Sequence, residues 1–347
     1  MSDRLARLIQ AALGKASDPS ANDLASPALS ASTTLGEVDQ LVQANDLDLM
    51  RVLAEATLGA LRISKDHPTR DRRDNLRFLV ADRRAPEQLR FTPTSSQVTW
   101  ALSPLTVHRA VTHANRAMEL LHDVAISNGV PLFHLLGMRN LSSFVGEVFK
   151  RELHRLKHAR FALNPNQDGY PDLLALTPEG AAYIREREER RQMSEKQFWS
   201  PYPHGGVEIK ATCGNTPPAR QTPKPQIGES RIPLLVTAEW KAHHQNTNNL
   251  IGLYWDFVDG VTTILAAFYR NDLTPDDWGT VIVPGEGSRT TSVSIMVKGS
   301  RTEERGVRKM GRGWLVLPTD TEMLTRLSTV FAISLPDIRS VTSHGGT

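Results

Sequence analysis

Two carboxylates and a lysine carry the most definite chemistry in this sequence. Pro171 and Asp172 open the apolar run Leu173 to Leu176, and Glu208 and Lys210 lie inside a second run with Val207 and Ile209. A strand turns successive side chains to opposite faces. Glu208 and Lys210 therefore project together, while Val207 and Ile209 face a core. With the Asp172 strand alongside, two carboxylates and an ammonium converge on one spot. That set suits Mg2+, which is held by one or two carboxylates and completes its shell with water and substrate oxygens. The matching reaction is phosphodiester hydrolysis. It needs hydroxide at a poly-anionic centre, support for a departing alkoxide, and a neighbouring cation that orients or deprotonates the water.

Several elements must position these residues. A helix is expected from about Ser142 to Phe161, with Ser143 as N-cap and Phe144, Val145, Val148, Phe149, Leu153 and Leu156 on its apolar side. Its other side carries Lys150, Arg151, His154, Arg155, Lys157, His158 and Arg160, interrupted by Glu147 and Glu152. Such a face is either solvated or set against phosphates. Thr177-Pro178-Glu179 starts another helix, with a capping threonine ahead of proline. It runs through alternating charges to Glu195 and fills the 36 positions between Asp172 and Glu208. Strands are expected at Val207–Thr212, Leu234–Trp240, Leu250–Phe257, Val261–Tyr269, Thr280–Val283 and Val293–Val297. Val258-Asp259-Gly260 forms a hairpin turn between Leu250–Phe257 and Val261–Tyr269.

Pro-Asp followed by Glu-x-Lys on an apolar strand resembles the signature of the PD-(D/E)xK nuclease superfamily, which includes most type II restriction endonucleases. All four positions are present as Pro171, Asp172, Glu208 and Lys210, and the likeness covers roughly residues 140–260. It implies an α/β (α+β) fold with a central mixed sheet flanked by helices. It also implies Asp172 and Glu208 as metal ligands and Lys210 as the catalytic lysine. An acidic residue from the preceding helix often joins the site; Glu147 matches best and Glu152 second. Members commonly act as homodimers on double-stranded DNA, paired with a modification methyltransferase. A second Glu-x-Lys, Glu239-Trp240-Lys241, competes with the first, with Trp240 in the core-facing place. Outside the restriction class stand a repair or junction-resolving nuclease of the same superfamily and a non-catalytic DNA-binding or interaction protein.

The remaining chain divides into an N-terminal helix and flexible arm (1–34), a mainly helical region (35–135) and the catalytic and DNA-binding part (136–347). Helices are expected over residues 1–15, 35–64 and 105–127, the last with Val107, Ala110, Val111, Ala117, Leu120, Leu121 and Val124 as its stripe. Phe78–Val80 and Gln97–Trp100 fit strands or helix ends equally. His243, His244, Asn246 and Asn248 form a polar cluster suited to base edges or to a plain loop. Adjacent histidines make a poor chelate, which argues against zinc. The basic stretch with Arg305, Arg308 and Lys309 reads as a phosphate-contacting loop or a solvated one.

Composition bounds the rest. The 347 residues are 39% hydrophobic and 23% charged, as in globular proteins, with a formal net charge of +3 that permits a nucleic-acid partner without requiring one. Cys213 is the single cysteine, so no intrachain disulfide forms, and it reads as structural. The N-terminus lacks a signal-peptide core, and no apolar run reaches membrane-spanning length. The expectation is a soluble, cytoplasmic, prokaryotic protein.

Overall fold

In the computed structural model, residues 76–333 are described apart from 82–89, 92–99, 158–159, 167–168, 243–246, 283–292 and 301. The elements in chain order are β1 (Phe78–Val80), β2 (Arg90–Phe91), β3 (Trp100–Ala101), α1 (Pro104–Ser127), α2 (Leu132–Leu156), β4 (Phe161–Leu163) and β5 (Leu173–Ala175). They continue with α3 (Pro178–Glu189), β6 (Gly206–Thr212), β7 (Lys241–Ala242), β8 (Leu250–Val258), β9 (Val261–Arg270), β10 (Ser294–Ile295), α4 (Val307–Arg312), β11 (Trp314–Pro318) and α5 (Thr321–Phe331).

The long apolar runs of β8 and β9 are buried on both faces. Such continuous burial marks the centre of a sheet covered on two sides. They sit in a seven-stranded mixed sheet of order β1-β11-β9-β8-β6-β5-β4. β6 and β8 run parallel, and the other neighbours are antiparallel. Two residues, Asp259 and Gly260, join β8 to β9, both at positive φ (51° and 79°). This is the backbone that a twisted two-residue hairpin requires.

Helices cover both faces. On one side α1 and α2 bury Val107, Val111, Phe144, Val148 and Phe149 against Ile251, Trp255, Ile264 and Leu315. On the other, α4 and α5 bring Met310 and Phe331 onto Trp240, Tyr254 and Phe268. Each such side chain removed from water contributes about 1.5–3 kcal/mol. β9 bulges where Tyr254 pairs with Ala266 and Trp255 with Ile264. The Asn115 amide on α1 repairs the ladder there, accepting from the Ile264 N–H (2.8 Å) and donating to its carbonyl (3.0 Å). Strand β1 and helix α1, both N-terminal to residue 136, are thus built into the same sheet-and-helix body. Among the described residues no helix is long and apolar enough to cross a membrane.

Several expectations need correction. Helix α2 starts at Leu132 instead of Ser142 and turns through Gly137 at φ 67°. Ser143 lies inside it, so it caps nothing, and the neighbouring Ser142 hydroxyl accepts from the Trp255 indole at 3.0 Å. The helix ends at Leu156 because Phe161 begins β4, paired with β5. Leu234–Trp240 is not a strand. Pro233 lacks a ladder donor, and the Asp256 carboxylate gathers the amides of Arg231 and Ile232 (2.8 and 2.9 Å) into a 3-10 turn. The basic stretch before Trp314 is helical from Val307. Helix α3 keeps its threonine cap, with the Gly180 N–H donating to the Thr177 hydroxyl, but stops at Glu189. The helices expected over 1–15 and 35–64 lie outside the described residues.

Candidate active site

Register and close packing bring Asp172 to Glu208. Strands β5 and β6 are antiparallel with Leu173 opposite Val207, so the next pair outward is Asp172 and Glu208. Gly206 permits the approach, since a Cβ there would lie 2.0 Å from the Leu173 carbonyl oxygen and 2.3 Å from Pro171 Cγ. Beyond Leu173 the site's own side chains continue the ladder. The Asp172 N–H donates to Glu208 Oε2 at 3.1 Å, and the Ile209 N–H donates to Asp172 Oδ2 at 2.8 Å. Val207 and Ile209 are buried in the core under α2, as strand alternation requires.

Lysines hold the other carboxylate oxygens. Lys210 Nζ lies 2.5 Å from Glu208 Oε1. Lys150 Nζ reaches Asp172 Oδ1 at 3.3 Å and also pairs with Glu147, three residues earlier on α2. Each carboxylate therefore gives one oxygen to a backbone amide and one to an ammonium. Asn164 fixes the approach to Asp172: its amide donates to the carbonyls of Pro171 and Trp199, both at 2.9 Å.

The electrostatics follow from burial and these pairs. Burial opposes the Asp172 carboxylate, but Lys150, Lys210 and the Ile209 amide outweigh it and hold its pKa below the ordinary value. Burial, then repulsion from Asp172, pushes the Glu208 carboxyl up to about 7 in spite of Lys210. Burial alone would lower Lys210, yet Glu208, Asp172 and Glu147 together raise it well above an ordinary lysine. The Lys150 ammonium is raised in the same way against burial, by Asp172 and Glu147. Tyr170 stands close by, its phenol pushed up to about 12 by burial and then by Glu208.

Asp172, Glu208, Lys210 and Glu147 thus come together, with Glu147 acting through Lys150. Glu152 does not join them. It is buried against Arg155 (2.7 Å) and His113 (3.4 Å), and Arg155 also contacts the His113 ring. Glu239 of the rival pair accepts from Asn215, while Lys241 stands exposed in the separate two-stranded sheet of β7 and β10. Trp240 is buried between them. Of the basic C-terminal residues, Arg305 pairs with Glu303 and Lys309 with Asp277. Arg308 lies on α4, Arg151 on α2, and Lys157 caps α2. His243, His244 and Asn246 lie outside the described residues; Asn248 is exposed and accepts from the Leu273 N–H. Cys213 is partly buried, with its thiol pushed up by burial and held away from thiolate chemistry.

Sequence reasoning left Lys150 on a helix face either solvated or set against phosphates, and missed its contact with Asp172. The signal was its spacing of three from Glu147, which puts both on one helix face. Asn164 and Tyr170 carried no such signal. The chain matches no family model, no curated protein and no solved structure.

A fit to a divalent cation rests on the donor set. Among the described residues no three His, Cys, Asp or Glu side chains gather into a protein-only metal cage. Two hard carboxylates beside each other, with room for water and substrate oxygens, are what Mg2+ needs. Asp172 and Glu208 supply two such carboxylates side by side; the Asp172 side chain reaches solvent in part, whereas Glu208 is buried.

Proposed function

We propose that this protein is a Mg2+-dependent endonuclease of the PD-(D/E)xK superfamily with a restriction-endonuclease-like fold. In this reading it acts as a type II restriction enzyme, cutting double-stranded DNA at a short, palindromic site. It works in the cytoplasm as a homodimer, paired with a modification methyltransferase. The observation that carries the reading is the convergence of Asp172, Glu208 and Lys210 through reciprocal side-chain and backbone bonds.

Asp172 and Glu208 would hold the cation, which when bound lowers the pKa of water and stabilises the departing alkoxide. Asp172 stays ionised at neutral pH because its lysine neighbours favour the charged form. Lys210 is held protonated, so its role is to orient the attacking water and offset phosphate charge. Removing a proton would require a depressed lysine pKa, the opposite of what its neighbours impose. The water oxygen bonds to phosphorus as the ester P–O bond breaks; the water gives up a proton to bulk solvent, and the leaving oxygen takes one from solvent. Asn164 holds the Pro171–Asp172 turn in place for this step through the carbonyls of Pro171 and Trp199.

The test is a digest of mixed-sequence phage DNA by the purified chain with Mg2+. Discrete bands are expected, with Asp172→Ala and Lys210→Ala slowed by about a thousandfold, in the range for removal of one preorganised charge-stabilising group. A smear points to a nuclease without sequence preference, and uncut DNA sinks the reading.

A further inference from the structure

We propose that Lys150 is an internal counter-ion for the cation site, a positioning residue that competes with the divalent ion for Asp172 and sets its affinity. The inference rests on the nuclease reading above and deepens it.

Asp172 has two oxygens and both are engaged. Oδ2 belongs to the Ile209 N–H, a backbone donor that cannot leave without opening β5 from β6. Oδ1 faces the Lys150 ammonium at 3.3 Å. Ammonium and divalent cation seek the same lone pairs, so an arriving ion displaces or shares with Lys150. Glu147 makes release possible. It pairs with the same ammonium on the same helix face, so Lys150 has a partner whether or not it touches Asp172. Lys210, by contrast, makes its ion pair with Glu208.

Charge counting gives the direction. With Glu208 ionised, Asp172, Glu208 and Glu147 against Lys150 and Lys210 leave one net negative charge. A divalent ion turns this to one net positive, which attracts a phosphodiester. Without Lys150 the site begins at two negative charges and ends at zero. The ion then binds more tightly and the phosphodiester is held less well. Lys150 thus exchanges cation affinity for substrate affinity, and its flexible stem carries the released ammonium toward the phosphate.

Titration calorimetry of the full chain with Mn2+, without DNA, tests this. Lys150→Gln is expected to bind Mn2+ roughly tenfold more tightly than the parent, since it removes a like charge within contact distance at a partly buried site. Lys150→Arg should bind as the parent does. Lys150→Met, which also removes the ammonium, should tighten Mn2+ binding to a similar extent, and it reads the same competition should Lys150→Gln fail to fold. Unchanged or weaker Mn2+ binding by folded Lys150→Gln, while Asp172→Asn loses it, overturns this proposal and leaves the nuclease reading standing. Parent protein that binds no Mn2+, or Asp172→Asn that binds it as tightly, overturns both.

Discussion

Replacing Glu208 with glutamine should change how stability depends on pH, and the sign can be worked out from the site. The folded protein raises the Glu208 carboxyl from 4.5 to about 7. Its stabilising contribution is therefore fully present below pH 4.5 and is lost as pH rises through about 7. A shift of that size corresponds to about 3 kcal/mol, of which about 2–3 kcal/mol is lost between pH 5 and pH 8. Glutamine keeps the shape and one acceptor for the Asp172 amide, but it does not titrate. Urea unfolding with a chelator present, at pH 5, 6, 7 and 8, gives the difference between parent and variant at each pH. The variant should gain about 2–3 kcal/mol on the parent across the interval, because other titrating groups cancel in the comparison. Adding 10 mM Mg2+ at pH 8 should return about 1.4 kcal/mol to the parent for a dissociation constant near 1 mM, and less to the variant. A difference that stays constant from pH 5 to pH 8 would refute the account of Glu208 as a carboxylate forced to ionise beside Asp172.

Two further substitutions test how the frame holds the site. Gly206→Ala sets a methyl against the Leu173 carbonyl; it should cost about 1–3 kcal/mol in thermal or urea unfolding and reduce cutting more than stability alone explains. Asp256→Ala leaves the amides of Arg231, Ile232 and Phe257 and the Ser230 hydroxyl without their acceptor; about 3 kcal/mol of destabilisation is expected from urea unfolding, in line with breaking a buried charged network.

Much of this was legible because it depends on local pattern. The alternation Val207-Glu208-Ile209-Lys210 placed Glu208 and Lys210 opposite two core side chains without any knowledge of neighbours. The β8–β9 hairpin and helix α1 announced themselves through burial pattern and turn chemistry in the same way. What escaped depends on contacts distant in sequence. Leu234–Trp240 has the composition of a strand, but Asp256, more than 20 residues later, captures the amides of Arg231 and Ile232 just ahead of it and turns the chain. Lys150 looked like one charge among many on a basic helix. Only the packing of α2 across β6 decides that it meets Asp172 while Arg155 turns away to Glu152. The N-cap assigned to Ser143 failed because the helix continues N-terminally through Gly137, where a single glycine at positive φ joins two helical pieces.

At the end of β5 the hydrogen bonds between strands pass from backbone to side chain, so the Ile209 amide proton rests on Asp172 instead of on a carbonyl. That proton is a built-in spectroscopic probe. Its resonance position and exchange rate register the charge and placement of the Asp172 carboxylate. Any event at Asp172, whether a protonation or the arrival of a cation, can then be followed at one nitrogen in the sheet, with no label added to the carboxylate itself.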